Sequence, residues 1–114
     1  MRKSMWCLLV CFLCVSLPLV AQKVTGTIAG VVSDPAGAVI SGAEITATNP
    51  ATGASRTVKS SDRGEYSFAD LPAGSYDISA KQANFKEYVS KGVQLFVSST
   101  TTVNIVLTVG SATE

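Results

Sequence analysis

The sequence predicts an all-β sandwich of about seven strands, and three observations carry that expectation. Apolar and polar residues alternate in short runs over most of the chain beyond residue 21. Turn residues break these runs at near-regular intervals: Asp34-Pro35-Ala36-Gly37, Asn49-Pro50, Asp62-Arg63-Gly64 and Leu71-Pro72-Ala73-Gly74. No amphipathic helical pattern lies between them. Cohesion is expected from two inward faces of Val, Ile, Leu, Tyr and Phe, at roughly 25 cal/mol per Å² of apolar surface removed from water.

Residues 1–21 read differently. Arg2 and Lys3 give a positive start, Met5 to Val20 is almost wholly apolar, and Pro18 and the small Ala21 close the run. That is the order of a secretory signal peptide. Cleavage is expected after Ala21, with Gln22 as the fallback because the bulky Leu19 lies three residues before the first cut. A membrane anchor is the rival, but a spanning helix needs roughly 20 apolar residues and this run is shorter and holds a proline. A lipid anchor on Cys11 or Cys14 would want a small residue before the cysteine, where Val10 and Leu13 stand. Residues 22–110 then make one domain and 111–114 a tail. The chain is expected to be exported to the periplasm, the outer membrane or the extracellular space, with no transmembrane segment after cleavage.

The elements follow in order. Ile28, Gly30 and Val32 share one face of a first strand, with Ala29 and Val31 on the other, so both faces are expected to be covered. Asp34 to Gly37 turns the chain, proline presetting φ and glycine taking the reversed conformation. Ile45 and Ala47 face inward on a second strand, opposite Glu44, Thr46 and Thr48. Ser55 to Ser60 makes a polar third strand, suited to an edge where charge discourages pairing with another chain. Tyr66 and Phe68 share the inner face of the fourth, and Tyr76, Ile78 and Ala80 that of the fifth. A sixth runs from Phe85 through Val93 and Leu95 to Val97. In the seventh, Val103, Ile105, Leu107 and Val109 face one way.

Composition excludes several function classes. All three cysteines (Cys7, Cys11, Cys14) lie in the expected signal, and the chain has no histidine. The usual metal ligands and the commonest general base are thus missing after cleavage. Loss of Arg2 and Lys3 leaves seven basic against eight acidic residues, a net charge of −1, with no basic stripe for nucleic acid. No cofactor is expected.

The spacing of Gly30-Val31-Val32-Ser33-Asp34 with Gly37, of Gly42-Ala43, of Asp62-x-Gly64-x-Tyr66-x-Phe68 and of Leu71-Pro72-Ala73-Gly74-x-Tyr76 resembles the carboxypeptidase regulatory-like domain. The resemblance covers nearly all of the chain after the signal. It implies a transthyretin-like (prealbumin-like) Greek-key sandwich of the carbohydrate-binding-like class. Two positions depart from the family's habit: Ile40 stands where proline is common, and Asn84 where glycine is common, although asparagine tolerates a left-handed backbone. The domain is also similar to the N-terminal extension of TonB-dependent, Oar-like outer-membrane receptors. The chain is therefore read as either a free-standing module or a truncated receptor fragment.

Candidate sites are few. Asp34, Asp62 and Asp70 are expected to bond the backbone of their own turns; calcium would need 6–8 oxygens. Tyr66, Phe68 and Tyr76 are expected in the core, leaving Tyr88, between Glu87 and Val89, as the candidate exposed ring for a ligand contact. Glu44, Glu65 and Glu87 lie on separate strands with no pairing signature, so no enzyme is expected. The resulting expectation is a non-catalytic exported interaction module with protein partners at the cell envelope. Carbohydrate binding is a second reading, and pairing through an edge strand, Val103 to Val109 or Ala54 to Ser60, a third.

Overall fold

A computed structural model describes residues 24–110; the expected signal peptide and the 111–114 tail lie outside the described residues. Strands are β1 (Thr25–Ser33), β2 (Glu44–Thr48), β3 (Ser55–Lys59), β4 (Glu65–Pro72), β5 (Gly74–Lys81), β6 (Tyr88–Leu95), β7 (Thr100–Thr102) and β8 (Ile105–Val106). One sheet runs β4-β1-β7, with β8 also on β1; the other runs β3-β2-β5-β6. Between them lie Ile28, Val32, Ile45, Tyr66, Phe68, Tyr76, Ile78, Leu95, Ile105 and Leu107. The inward sets on the first, second, fourth and fifth strands match the alternation in the sequence. The described residues contain no helix long and apolar enough to cross a membrane.

The strand count is eight rather than seven, because the last run breaks at Val103-Asn104. β7 and β8 both run parallel to β1 in one unbroken register, Thr27 opposite Thr100 and Val32 opposite Ile105. At the break the Val103 carbonyl accepts the Tyr66 hydroxyl at 2.5 Å. The Val31 N–H instead reaches the Asn104 side-chain oxygen at 3.2 Å. One side chain takes a ladder acceptor and another replaces it, so the backbone pairing lapses while the register persists. Beyond the break Ile105 and Leu107 are buried, but Val109 is 78% exposed and only bridges Phe85; its expected inward place is corrected.

Three further expectations change. β1 is covered on one face only, since Ala29 and Val31 on the outer face remain partly exposed. The sixth strand is Tyr88–Leu95, shorter than the run from Phe85 to Val97. It bulges where Lys91 and Gly92 together oppose Asp77, with Gly92 at φ 72° and its N–H on the Asp77 carboxylate. Its tail, Phe96 and Val97, is exposed. Ile40 is buried, and its N–H donates to the Val32 carbonyl at 2.9 Å, a bond that proline could not make. Asn84 does adopt a left-handed backbone, φ 72°.

The turns are held by their own side chains. The Asp34 carboxylate accepts the N–H groups of Ala36 and Ala38, each at 2.9 Å. At Ser61–Glu65 the capping group is the Ser61 hydroxyl, which accepts from Arg63 and Glu65. Asp62 instead receives only the Ser41 hydroxyl at 3.4 Å. Asp70 sits at φ 55° in a bulge where Ala69 and Asp70 oppose Thr27, so its role is conformational and not a cap.

Candidate functional site

The second sheet's register builds the most distinctive surface. Glu44 on β2 lies opposite Lys59 on β3 and opposite Lys81 on β5. Lys81 in turn faces Glu87 at the mouth of β6, Nζ to Oε1 3.9 Å. Four charges therefore alternate across the sheet: Lys59, Glu44, Lys81, Glu87. All are exposed, and Lys81–Glu87 forms an ion pair. Beside them opens a depression of about 500 Å³, bordered also by Gln82 and Phe85. Gln82 fixes its wall by donating to the Ser41 carbonyl at 2.9 Å and accepting the Phe85 N–H at 3.1 Å.

This surface suits recognition of polar groups. Cross-strand Lys–Glu neighbours offer ammonium donors and carboxylate acceptors within one row, and Phe85 adds a half-buried ring packed on the core. Glu44 and Glu87 share the row with a lysine between them, while Glu65 belongs to the other sheet. No cluster of three metal-ligating side chains occurs among the described residues.

Tyr88, expected to be exposed, is half-buried and packs against the core. The β6 alternation turns Glu87 and Val89 outward and Tyr88 inward. Tyr66, Phe68 and Tyr76 are buried as expected. Tyr66 meets Phe68 edge-on, ring centroids 5.9 Å apart, and Tyr76 donates to the Pro72 carbonyl at 2.5 Å. Sequence reasoning missed the charge row. Each member stands at a strand end in the sequence, but only the register of four strands places them side by side.

Burial, and secondarily Tyr88, pushes the Tyr66 phenol pKa well above the ordinary tyrosine value. A raised folded-state pKa makes its contribution whole below the unfolded value, about 10, and lost as pH climbs above it. Urea midpoints measured from pH 8 to 12 should fall above pH 10 less steeply in Tyr66→Phe than in the parent. Equal slopes would remove Tyr66 from the alkaline transition.

Comparison with solved structures places the fold. The Bacillus anthracis TIE protein is similar over 75% of this chain and 17% of its own, at 20% identity and TM-score 0.66. A candidate carbohydrate-binding protein from Bacteroides uniformis matches 71% of this chain and 40% of its own, at 21% identity and TM-score 0.58. A streptococcal ancillary pilin matches 77% and 33%, at 17% identity and TM-score 0.58. This chain thus spans less than half the length of each. A search of curated proteins finds no match. The family profile of the carboxypeptidase regulatory-like domain matches residues 27–108, a stretch running from β1 past β8 and through every motif named above. The chain belongs to the carboxypeptidase regulatory-like domain family.

Proposed function

We propose that the chain is a non-catalytic, exported accessory module that makes and spaces protein contacts at the cell envelope, beside receptor-type proteins of the outer membrane. The observation that carries this reading is the placement of the two ends. Val24 precedes β1 at one end of the sandwich. Gly110 lies at the other, its N–H on the Asn84 carbonyl in the β5–β6 loop. The nine residues of β1 separate those ends by about 30 Å at ~3.3 Å per residue. The sandwich holds Val24 and Gly110 at its opposite ends. Export rests on the charged, apolar and small-residue order of residues 1–21.

Carbohydrate binding is the second reading, favoured by the depression that sets Phe85 among Glu44, Lys59, Lys81, Gln82 and Glu87. One preparation tests both readings: the full chain expressed in a Gram-negative host and recovered from the envelope fractions. The expected product has an intact mass shortened at Ala21, turns over no peptide or ester, and shows no spectral change with oligosaccharides. Reproducible turnover would sink the accessory-module reading, as would retention of residues 1–21 in the inner membrane. Saturable shifts lost in Phe85→Ala would transfer the function to carbohydrate binding.

A further inference from the structure

We propose that the outer face of the four-stranded sheet docks a second copy of this chain. This goes beyond the accessory-module reading and stands on the charge row alone. The row reads Lys59, Glu44, Lys81, Glu87 across β3, β2, β5 and the mouth of β6. Its charges run plus, minus, plus, minus. A two-fold axis in the interface plane, along the strands, lays one face on the other and reverses the order across the sheet. Lys59 then meets Glu87 of the partner subunit, and Glu44 meets Lys81 of the partner subunit. The operation repeats both pairs by symmetry, the hallmark of an isologous contact. Every charge in the row meets its opposite and none meets its like.

Two features of the isolated chain leave the row open to this use. Glu44 sits between two lysines in register, yet forms an ion pair with neither, and Lys59 has no ion-pair partner. The next row toward the centre of the face is uncharged, with Thr46 and Ser79 opposite one another and Thr46 bonded to Thr57 at 2.9 Å. These short hydroxyl side chains near the axis allow the faces to approach.

The area sets the strength. Four strands about 4.8 Å apart and five to eight residues long make a face of roughly 400 Å². Two such faces bury less than the ~1,200 Å² of a standard stable interface. The dimer is therefore weak, in the micromolar-to-millimolar range, and sensitive to salt because its charges are near the surface.

Sedimentation velocity from about 10 μM to 1 mM tests this on the exported chain. Concentration-dependent dimers are expected at low salt, about tenfold weaker at 0.5 M salt. Glu44→Lys puts three lysines side by side and should weaken association about tenfold or more. Thr46→Arg, which places bulk and charge near the axis, should do the same. Reversing all four positions (K59E, E44K, K81E, E87K) regenerates a self-complementary row. That variant should self-associate as the parent does, yet fail to pair with the parent, since like charges would then meet. Circular dichroism checks that these exposed substitutions leave the fold intact. A parent that stays monomeric to 1 mM at low salt would overturn the proposal, and so would a folded Glu44→Lys protein that dimerises as tightly as the parent.

Discussion

Gly30→Ala is expected to destabilise the domain by more than about 3 kcal/mol, at or beyond the upper end of ordinary overpacking costs. A Cβ built on Gly30 would lie 1.9 Å from the Val103 carbonyl oxygen, 2.6 Å from its carbon and 3.0 Å from the Tyr66 ring. The first two are backbone atoms, so no rotamer change relieves the clash. Gly30 pairs with Tyr66 on β4, and its bare Cα lets the Tyr66 ring cross β1 toward the last strand. There the hydroxyl reaches the Val103 carbonyl at 2.5 Å. That single hydrogen bond ties β4 to the β7–β8 segment across the strand between them.

An added methyl group must push Val103 away. The Tyr66 bond and the neighbouring Val103 N–H to Ala29 carbonyl bond, 2.8 Å, are strained together. Tyr66→Phe removes only the first and should cost about 1 kcal/mol. Gly37→Ala is the control: its Cβ would meet nothing within 4 Å, and only its φ of +87° is unfavourable, worth about 1–2 kcal/mol. Urea unfolding followed by circular dichroism ranks the three. A loss below 1 kcal/mol for Gly30→Ala would mean that the last strand yields freely there, contrary to the Tyr66–Val103 tie. Against a total of about 5–15 kcal/mol for ordinary domains, the expected loss is large.

How much of this was legible beforehand depends on how far apart in sequence the partners lie. The alternation in Ile45-Ala47, Tyr66-Phe68 and Tyr76-Ile78-Ala80 fixes which side chains enter the core, because a strand's period of two is a local property. The Asp34 turn is local too, its acceptor and donors falling within four residues. The polar β3 is an edge, as its composition implied. What escaped depends on contacts across long loops. The break at Val103 comes from a tyrosine 37 residues earlier. The inward turn of Tyr88 depends on where β6 docks against β5 and on the bulge at Lys91-Gly92 that resets its alternation. The charge row needs the registers of three strand pairs at once.

The edge-strand reading meets the same limit. β3 and the last strand are edges in the order observed, but neither is a clean template for another chain. The Arg56 guanidinium on β3 donates to the Ala69 carbonyl of β4, closing that side of the sandwich. The last strand is interrupted at Val103-Asn104, and Thr101 reaches across to the Gln94 carbonyl at 3.1 Å. Side chains that cover edge carbonyls and breaks that shorten an edge are devices that discourage strand addition. The broad face of the second sheet, which has no such guard, is the better place for a partner.

Ser60→Ala is expected to cost about 2–4 kcal/mol, from one hydroxyl that the sequence does not single out. Among the described residues Ser60 is a buried polar side chain, 6% exposed. Its Oγ donates to the Ile40 carbonyl at 2.7 Å and accepts the Ala43 N–H at 2.9 Å. Alanine leaves both backbone groups without those partners where water has little access, at about 1–3 kcal/mol for each unsatisfied group. Ser60→Thr keeps the hydroxyl and should lose much less. The backbone of Ser60 also bonds Ala43 and Gly42, each at 2.9 Å, so the segment should stay docked in the alanine variant with its amide less protected. Hydrogen exchange at Ala43 should therefore accelerate more than exchange in β5. The consequence reaches the surface, because Ser60 follows Lys59 and Ala43 precedes Glu44, and that pair is the first step of the charge row. A hydroxyl in the core thus holds two surface charges in register. If Ser60→Ala unfolds within 1 kcal/mol of the parent and Ala43 exchange is unchanged, the row is held by strand pairing alone.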